Sequence, residues 1–137
     1  MADVLFVIMR WTHFASMATL IGGLLYGRFV MLPSIGTLSP DSREALAARI
    51  AAAYRPMIAA AVGGLLVSGL YNLLTNPGHT VKYHILLGIK LMLALHVFAV
   101  AFLVTQPKNP RVSRMMTGTI VSGLIILAIS AYLRRIF

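Results

Sequence analysis

Apolar positions along the chain fall into four runs of about twenty residues, at 11–32, 56–74, 81–104 and 115–133, with short polar connections between them. A run of that length is what a helix needs to cross ~30 Å of hydrocarbon, so each predicts a transmembrane helix. Short connections make sequence neighbours pack antiparallel. The fold class expected is therefore all-α: an integral membrane four-helix bundle of up-down topology forming one transmembrane domain over 1–137.

Local signals refine the boundaries. Val4 to Met9 reads as an apolar lead-in at the interface, Trp11 beside Arg10 as an interfacial anchor, and Pro33 as the end of the first helix. Ser39-Pro40-Asp41-Ser42-Arg43-Glu44 has the form of a helix start, with Ser39 or Asp41 capping and Pro40 in the first turn. It predicts a short amphipathic helix lying on the membrane in the first loop. Asn76-Pro77-Gly78 is a turn signal, and Gln106-Pro107 with Asn109-Pro110 ends the third helix. The acidic Met1-Ala2-Asp3 opening and the apolar run continuing past Leu20 predict an uncleaved N-terminus.

Composition supports a lipid solvent. The chain is 59% hydrophobic and 11% charged, against roughly 25% charged in soluble domains. Its net charge of +9 would suggest a nucleic-acid partner in a soluble protein. At helix ends the same cations serve topology and anionic lipid, so no nucleic-acid partner is expected. The absence of cysteine excludes disulfides, thiolate zinc sites and iron–sulfur clusters. The first and third connections hold seven basic residues (Arg28, Arg43, Arg49, Arg55, Lys108, Arg111 and Arg114), and the other side holds four (Arg10, Lys82, Arg134 and Arg135). The bias puts both termini outside a bacterial inner membrane.

Small residues recur at four-residue spacing: Gly23 and Gly27, then Ala60, Gly64 and Ser68, then Gly118 and Ser122. Where lipid supplies no hydrophobic drive, such spacing lets helix backbones approach. Close packing inside the bundle is the reading adopted, with a homodimer seam as the alternative.

Polar groups within the apolar runs are functional candidates because they are costly there. They are His13, His84, His96 and Lys90. At about 100° per residue on the third helix, with His84 at zero, Gly88, Ala99, Met92 and His96 fall between about 40° and 120°, and Lys90 at about 240°. If the face of small residues packs inward, both histidines line the interior and Lys90 looks outward, toward headgroups, a partner chain or a water-filled crevice. His13 and His84 lie near one level, whereas His96 is about 18 Å further down.

Two imidazoles from different helices at one level are what haem b needs, with Arg10, Lys82 and Arg134 available for its propionates. The competing interpretation gives each histidine one hydrogen bond inside a packed bundle. A second ligand set is Met9, Met17, Met92 and His96, thioethers and imidazole of the kind Cu(I) favours, although methionine stripes also serve as core filler. No buried carboxylate, thiol nucleophile or glycine-rich phosphate loop is present, so no catalytic residues are assigned.

Arg10-Trp11-Thr12-His13, followed by Ile21-Gly22-Gly23 and Pro33, resembles the first helix of the copper-resistance-protein-D-like membrane families. Tyr83-His84-Ile85-Leu86-Leu87-Gly88-Ile89-Lys90-Leu91 resembles their third helix. The same broad group is similar to the haem-binding bacterial membrane protoporphyrinogen oxidases, which carry a first-helix histidine and a third-helix lysine; His13 and Lys90 match those positions. The chain departs from the oxidases in having His84 six residues before Lys90, where they have a Trp-Leu-His-x-Lys run, and Arg28-Phe29-Val30 where they extend to a further histidine. The resemblance thus implies haem binding rather than the oxidase reaction. Three functions follow as expectations: a small haem b protein acting as a redox or electron-transfer subunit, a copper-handling permease, or a structural subunit of a larger membrane complex.

The charge bias yields the first testable outcome. In this cysteine-free chain, single cysteines placed between Ser39 and Glu44 label with an impermeant reagent only from the cytoplasmic face, and a reporter fused at Phe137 registers outside; the reverse pattern inverts the topology.

Overall fold

In hydrocarbon every backbone N–H and C=O needs a partner within the protein, and each apolar run meets that demand by coiling. The computed structural model describes residues 2–75, 80–106 and 109–136, without the side chains of Ala2, Arg135 and Ile136. The predicted Asn76-Pro77-Gly78 turn, Pro107 and Lys108 lie outside the described residues. The fold is all-α. Helix α1 covers Ala2–Tyr26 and continues without a break through a π turn, Gly27–Met31, and a last α turn, Leu32–Ile35. Helices α2 (Pro40–Thr75), α3 (Val81–Val104) and α4 (Val112–Ile136) follow. All four are long and apolar enough to cross a membrane.

Two proline signals are overridden. Pro33 does not end the first helix, because the preceding π turn makes room for it. The Leu32 N–H reaches back to the Gly27 carbonyl, one residue further than in an α-helix. The widened turn relieves the clash that the Pro33 ring would make with the carbonyl four residues earlier. The amphipathic segment and the second transmembrane helix are likewise one element: α2 runs 36 residues straight through Pro56. At ~1.5 Å per residue it is about 54 Å long, well beyond the hydrocarbon thickness. Its first turns, exposed from Pro40 to Arg49, project past the apolar span. The lead-in before Met9 is also helical and belongs to α1.

The third helix has a side-chain cap. Thr80 accepts a bond from the Tyr83 N–H at 3.4 Å and starts α3. Between α3 and α4, Asn109 accepts from the Arg111 N–H at 3.0 Å and donates to the Leu103 carbonyl at 3.2 Å, tying the two helix ends together.

Helix α1 packs along α2 and α3 along α4, and the two hairpins meet chiefly through α1 against α4. Leu20, Ile58, Ala61, Val62, Val97 and Ala101 form one buried cluster; Leu24, Val100, Val104, Met116 and Ile120 form a second, nearer the first and third connections. Burial is one-ended. No residue from Asp3 to Thr19 of α1, from Val81 to His96 of α3, or from Leu124 to Tyr132 of α4 is fully buried. Among the described residues toward the termini, only Ser68 and Leu133 are.

Several of the small residues pack inside the bundle as expected, whereas Ala60 and Gly118 are exposed and do not. Gly23 faces the Tyr54 ring, Gly27 faces Met116, and Gly64 receives Thr12 and Ser16. A methyl group on Gly23 would occupy the position of the Tyr54 hydroxyl, which is itself buried without a hydrogen-bond partner among the described residues. Two opposite outcomes follow for unfolding in micelles. Gly23→Ala lowers stability by about 1–3 kcal/mol through overpacking, and Tyr54→Phe is neutral or stabilising by about 1 kcal/mol because it removes an unsatisfied buried hydroxyl.

Candidate functional site

The terminal half of the bundle, where side chains are half-buried rather than sealed, contains His13, Ser68 and Lys90. His13 lies on the face of α1 that meets α2, and its Nδ1 is 2.9 Å from Ser68 Oγ. Ser68 is wholly buried, and its hydroxyl donates to the Gly64 carbonyl one turn earlier at 2.6 Å. A hydroxyl has one proton. With that proton committed to Gly64, the shared bond is made by the His13 Nδ1–H, and Ser68 Oγ accepts it. This assignment follows from the hydrogen-bond network. The lone pair of His13 Nε2 is then free, and the ring is held in one orientation.

Lys90 approaches the same site from α3. Its side chain is half-buried, and its positive charge is felt at the His13 ring. It makes no hydrogen bond or ion pair among the described residues. The sequence expectation is thereby reversed: Lys90 faces inward. The face of small residues on α3 points outward, with His84, Gly88, Met92, His96 and Ala99 all exposed and Met92 75% so. The inner face runs instead along Tyr83, Lys90, Val97 and Val104, seven residues apart and therefore on one side of the helix. Val97 and Val104 on that line are buried.

The remaining candidates separate accordingly. His84 stands edge-on to Tyr83, ring centroids 5.7 Å apart, on the outer side of α3, and so does not face His13 across the interior. Met9 and Met17 flank His13 on the half-buried stripe of α1, whereas Met92 and His96 are on the outer surface, so the four-residue copper set does not converge. Arg10 lies within 6.0 Å of the Phe6 ring and 5.9 Å of the Phe14 ring, while Arg134 is exposed. Lys82 donates to the Tyr132 hydroxyl at 2.8 Å. Among the described residues no three His, Asp or Glu side chains form a metal-holding group. Ser68, which sequence reasoning places only in a small-residue stripe, turns out to be the partner that orients His13.

Comparison with protein-family models, curated proteins and solved structures returns no match. The geometry of His13, Ser68 and Lys90 is therefore what a functional reading has to explain.

A membrane-embedded lysine costs about 2.5–3.5 kcal/mol on insertion scales, and no described side chain offsets it here. Lys90→Met should consequently raise stability in micelles, by no more than about that amount. A Lys90→Met protein less stable than wild type would show that the ammonium holds the bundle together.

Proposed function

We propose that this chain is a small multi-pass haem b protein of the bacterial inner membrane, termini outside, serving as a redox or electron-transfer subunit. The observation that carries this reading is the His13–Ser68 pair. A ligating imidazole characteristically gives its other ring N–H to an oxygen acceptor, which fixes the tautomer and raises the basicity of the donor nitrogen. His13 has that arrangement with Nε2 free, in the loosely packed half of an apolar bundle.

The donor set fits one axial nitrogen from this chain, not the His13 and His84 pair, since His84 is on the outer surface of α3. Bound haem would supply one-electron chemistry. His13 would hold the iron, Ser68 would keep the ring from rotating, and the half-buried helices would limit water. Lys90 would favour an anionic group beside His13, such as a propionate or an acidic substrate. The exposed His84, Met92 and His96 lie on the surface where a partner subunit or a second copy of the chain would shield imidazoles from lipid. A second reading, copper handling, is supported by Met9, His13 and Met17 sharing one half-buried stripe.

Protein purified from a haem-replete membrane should show a Soret band and a reducible α band. His13→Ala should abolish them and Ser68→Ala should shift them, while His84→Ala leaves them in place. Lys90→Met should retain the bands and lose electron transfer in cells. A folded protein that stays colourless after haem is supplied ends the haem reading; stoichiometric copper lost on Met17→Leu would instead establish the second.

A further inference from the structure

At the opposite end of the bundle from His13, an open cleft of about 700 Å³ lies between the π turn and the start of α4. Three arginines line it: Arg28 from the π turn, and Arg111 and Arg114 from the start of α4. Arg28 is held in place, its Nε donating to Thr117 Oγ1 at 3.0 Å while that hydroxyl donates to the Ser113 carbonyl at 3.0 Å. This bond uses the inner edge of the guanidinium and leaves its two terminal nitrogens as donors. The Arg111 and Arg114 guanidinium groups have no partner among the described residues. No carboxylate is among the described residues that line the cleft. Gly118, one turn beyond Arg114, leaves space that a side chain would fill, with nothing within 4 Å of a Cβ placed there.

We propose that this cleft is a binding site for a phosphate-ester anion. Three arginines on one cleft, with no carboxylate among its described lining residues, leave positive charge unbalanced there, and a phosphate accepts paired N–H bonds from guanidinium groups while neutralising it. General topology does not account for this arrangement. The other arginines on the same side, Arg43, Arg49 and Arg55, are spread along exposed turns of α2, and Arg43 is occupied by the Gly36 and Leu38 carbonyls at 2.7 and 3.2 Å. The cleft instead gathers cations from the π turn, the turn before α4 and the first turn of α4, with Arg28 anchored on Thr117. A phospholipid headgroup and a freely diffusing phosphate ester share the chemistry that this site recognises.

The test titrates the purified full chain in neutral micelles with dioctanoyl phosphatidic acid, using dioctanoyl phosphatidylcholine as the neutral comparison and thermal unfolding and thermophoresis as readouts. Wild type should bind the phosphatidic acid saturably and the phosphatidylcholine at least tenfold more weakly. Arg111→Gln with Arg114→Gln should weaken phosphatidic acid binding by about tenfold or more, while Arg43→Gln with Arg49→Gln changes it less than about twofold. Gly118→Leu keeps every charge and should produce a loss similar to that of the cleft pair. Displacement by millimolar inorganic phosphate identifies a soluble phosphate ester as sufficient, and resistance to it identifies the lipid headgroup; either supports the site. Equal losses from the cleft pair and the α2 pair would reduce the effect to diffuse surface attraction and overturn the proposal, as would equal binding of the two lipids by wild type.

Discussion

The rest of this molecule depends on the impossibility of leaving a backbone amide unpaired in hydrocarbon. That constraint makes each apolar run helical, and it also explains how the irregular residues are accommodated. Pro33, which has no N–H to give, sits after a turn wound one residue wider, so the chain stays helical. Hydroxyls face the same demand. Thr19, Ser34, Ser68, Thr75, Thr117, Thr119 and Ser130 each donate to the carbonyl four residues back. For most of them this bond only hides a polar group. For Ser68 it also fixes which proton is left for His13, so a rule about solvent becomes a rule about the tautomer of one imidazole.

How much of this was legible beforehand follows from the same solvent. The number of helices and the span of the third follow from apolar length, which lipid thickness dictates directly. The inward face of α3 does not. In water the apolar side of a helix identifies the core, but lipid is as apolar as the core, and Val97 on the inside and Leu95 on the outside carry no distinguishing label. Choosing the face by its small residues sent Gly88 inward and Lys90 outward, the reverse of what is observed. The inward line of Tyr83, Lys90, Val97 and Val104 has no shared chemistry to mark it, and the outward Ile85, Met92 and Ala99 have the same seven-residue spacing.

His13 was legible as a polar residue within an apolar helix, and Ser68 as its partner was not. The pairing depends on register between α1 and α2, which is set by Thr12 and Ser16 seating against Gly64, a contact that no pattern within either helix reveals. The merging of the amphipathic segment with α2 has a similar origin. Pro56 looks like a boundary, yet a single missing N–H costs less than two helix ends with several unpaired groups each.

One-ended burial has a mechanical meaning. With Leu20, Leu24, Val97, Val100, Val104, Met116 and Ile120 packed toward one membrane face, the two helical hairpins are held tightly there and more loosely toward the termini. The looser half, which carries His13 and Lys90, is also where the chain passes from the first hairpin to the second, between Thr75 and Thr80. Covalent linkage ties the hairpins in one leaflet and side-chain packing ties them in the other, so the same bundle is secured by different means at its two faces.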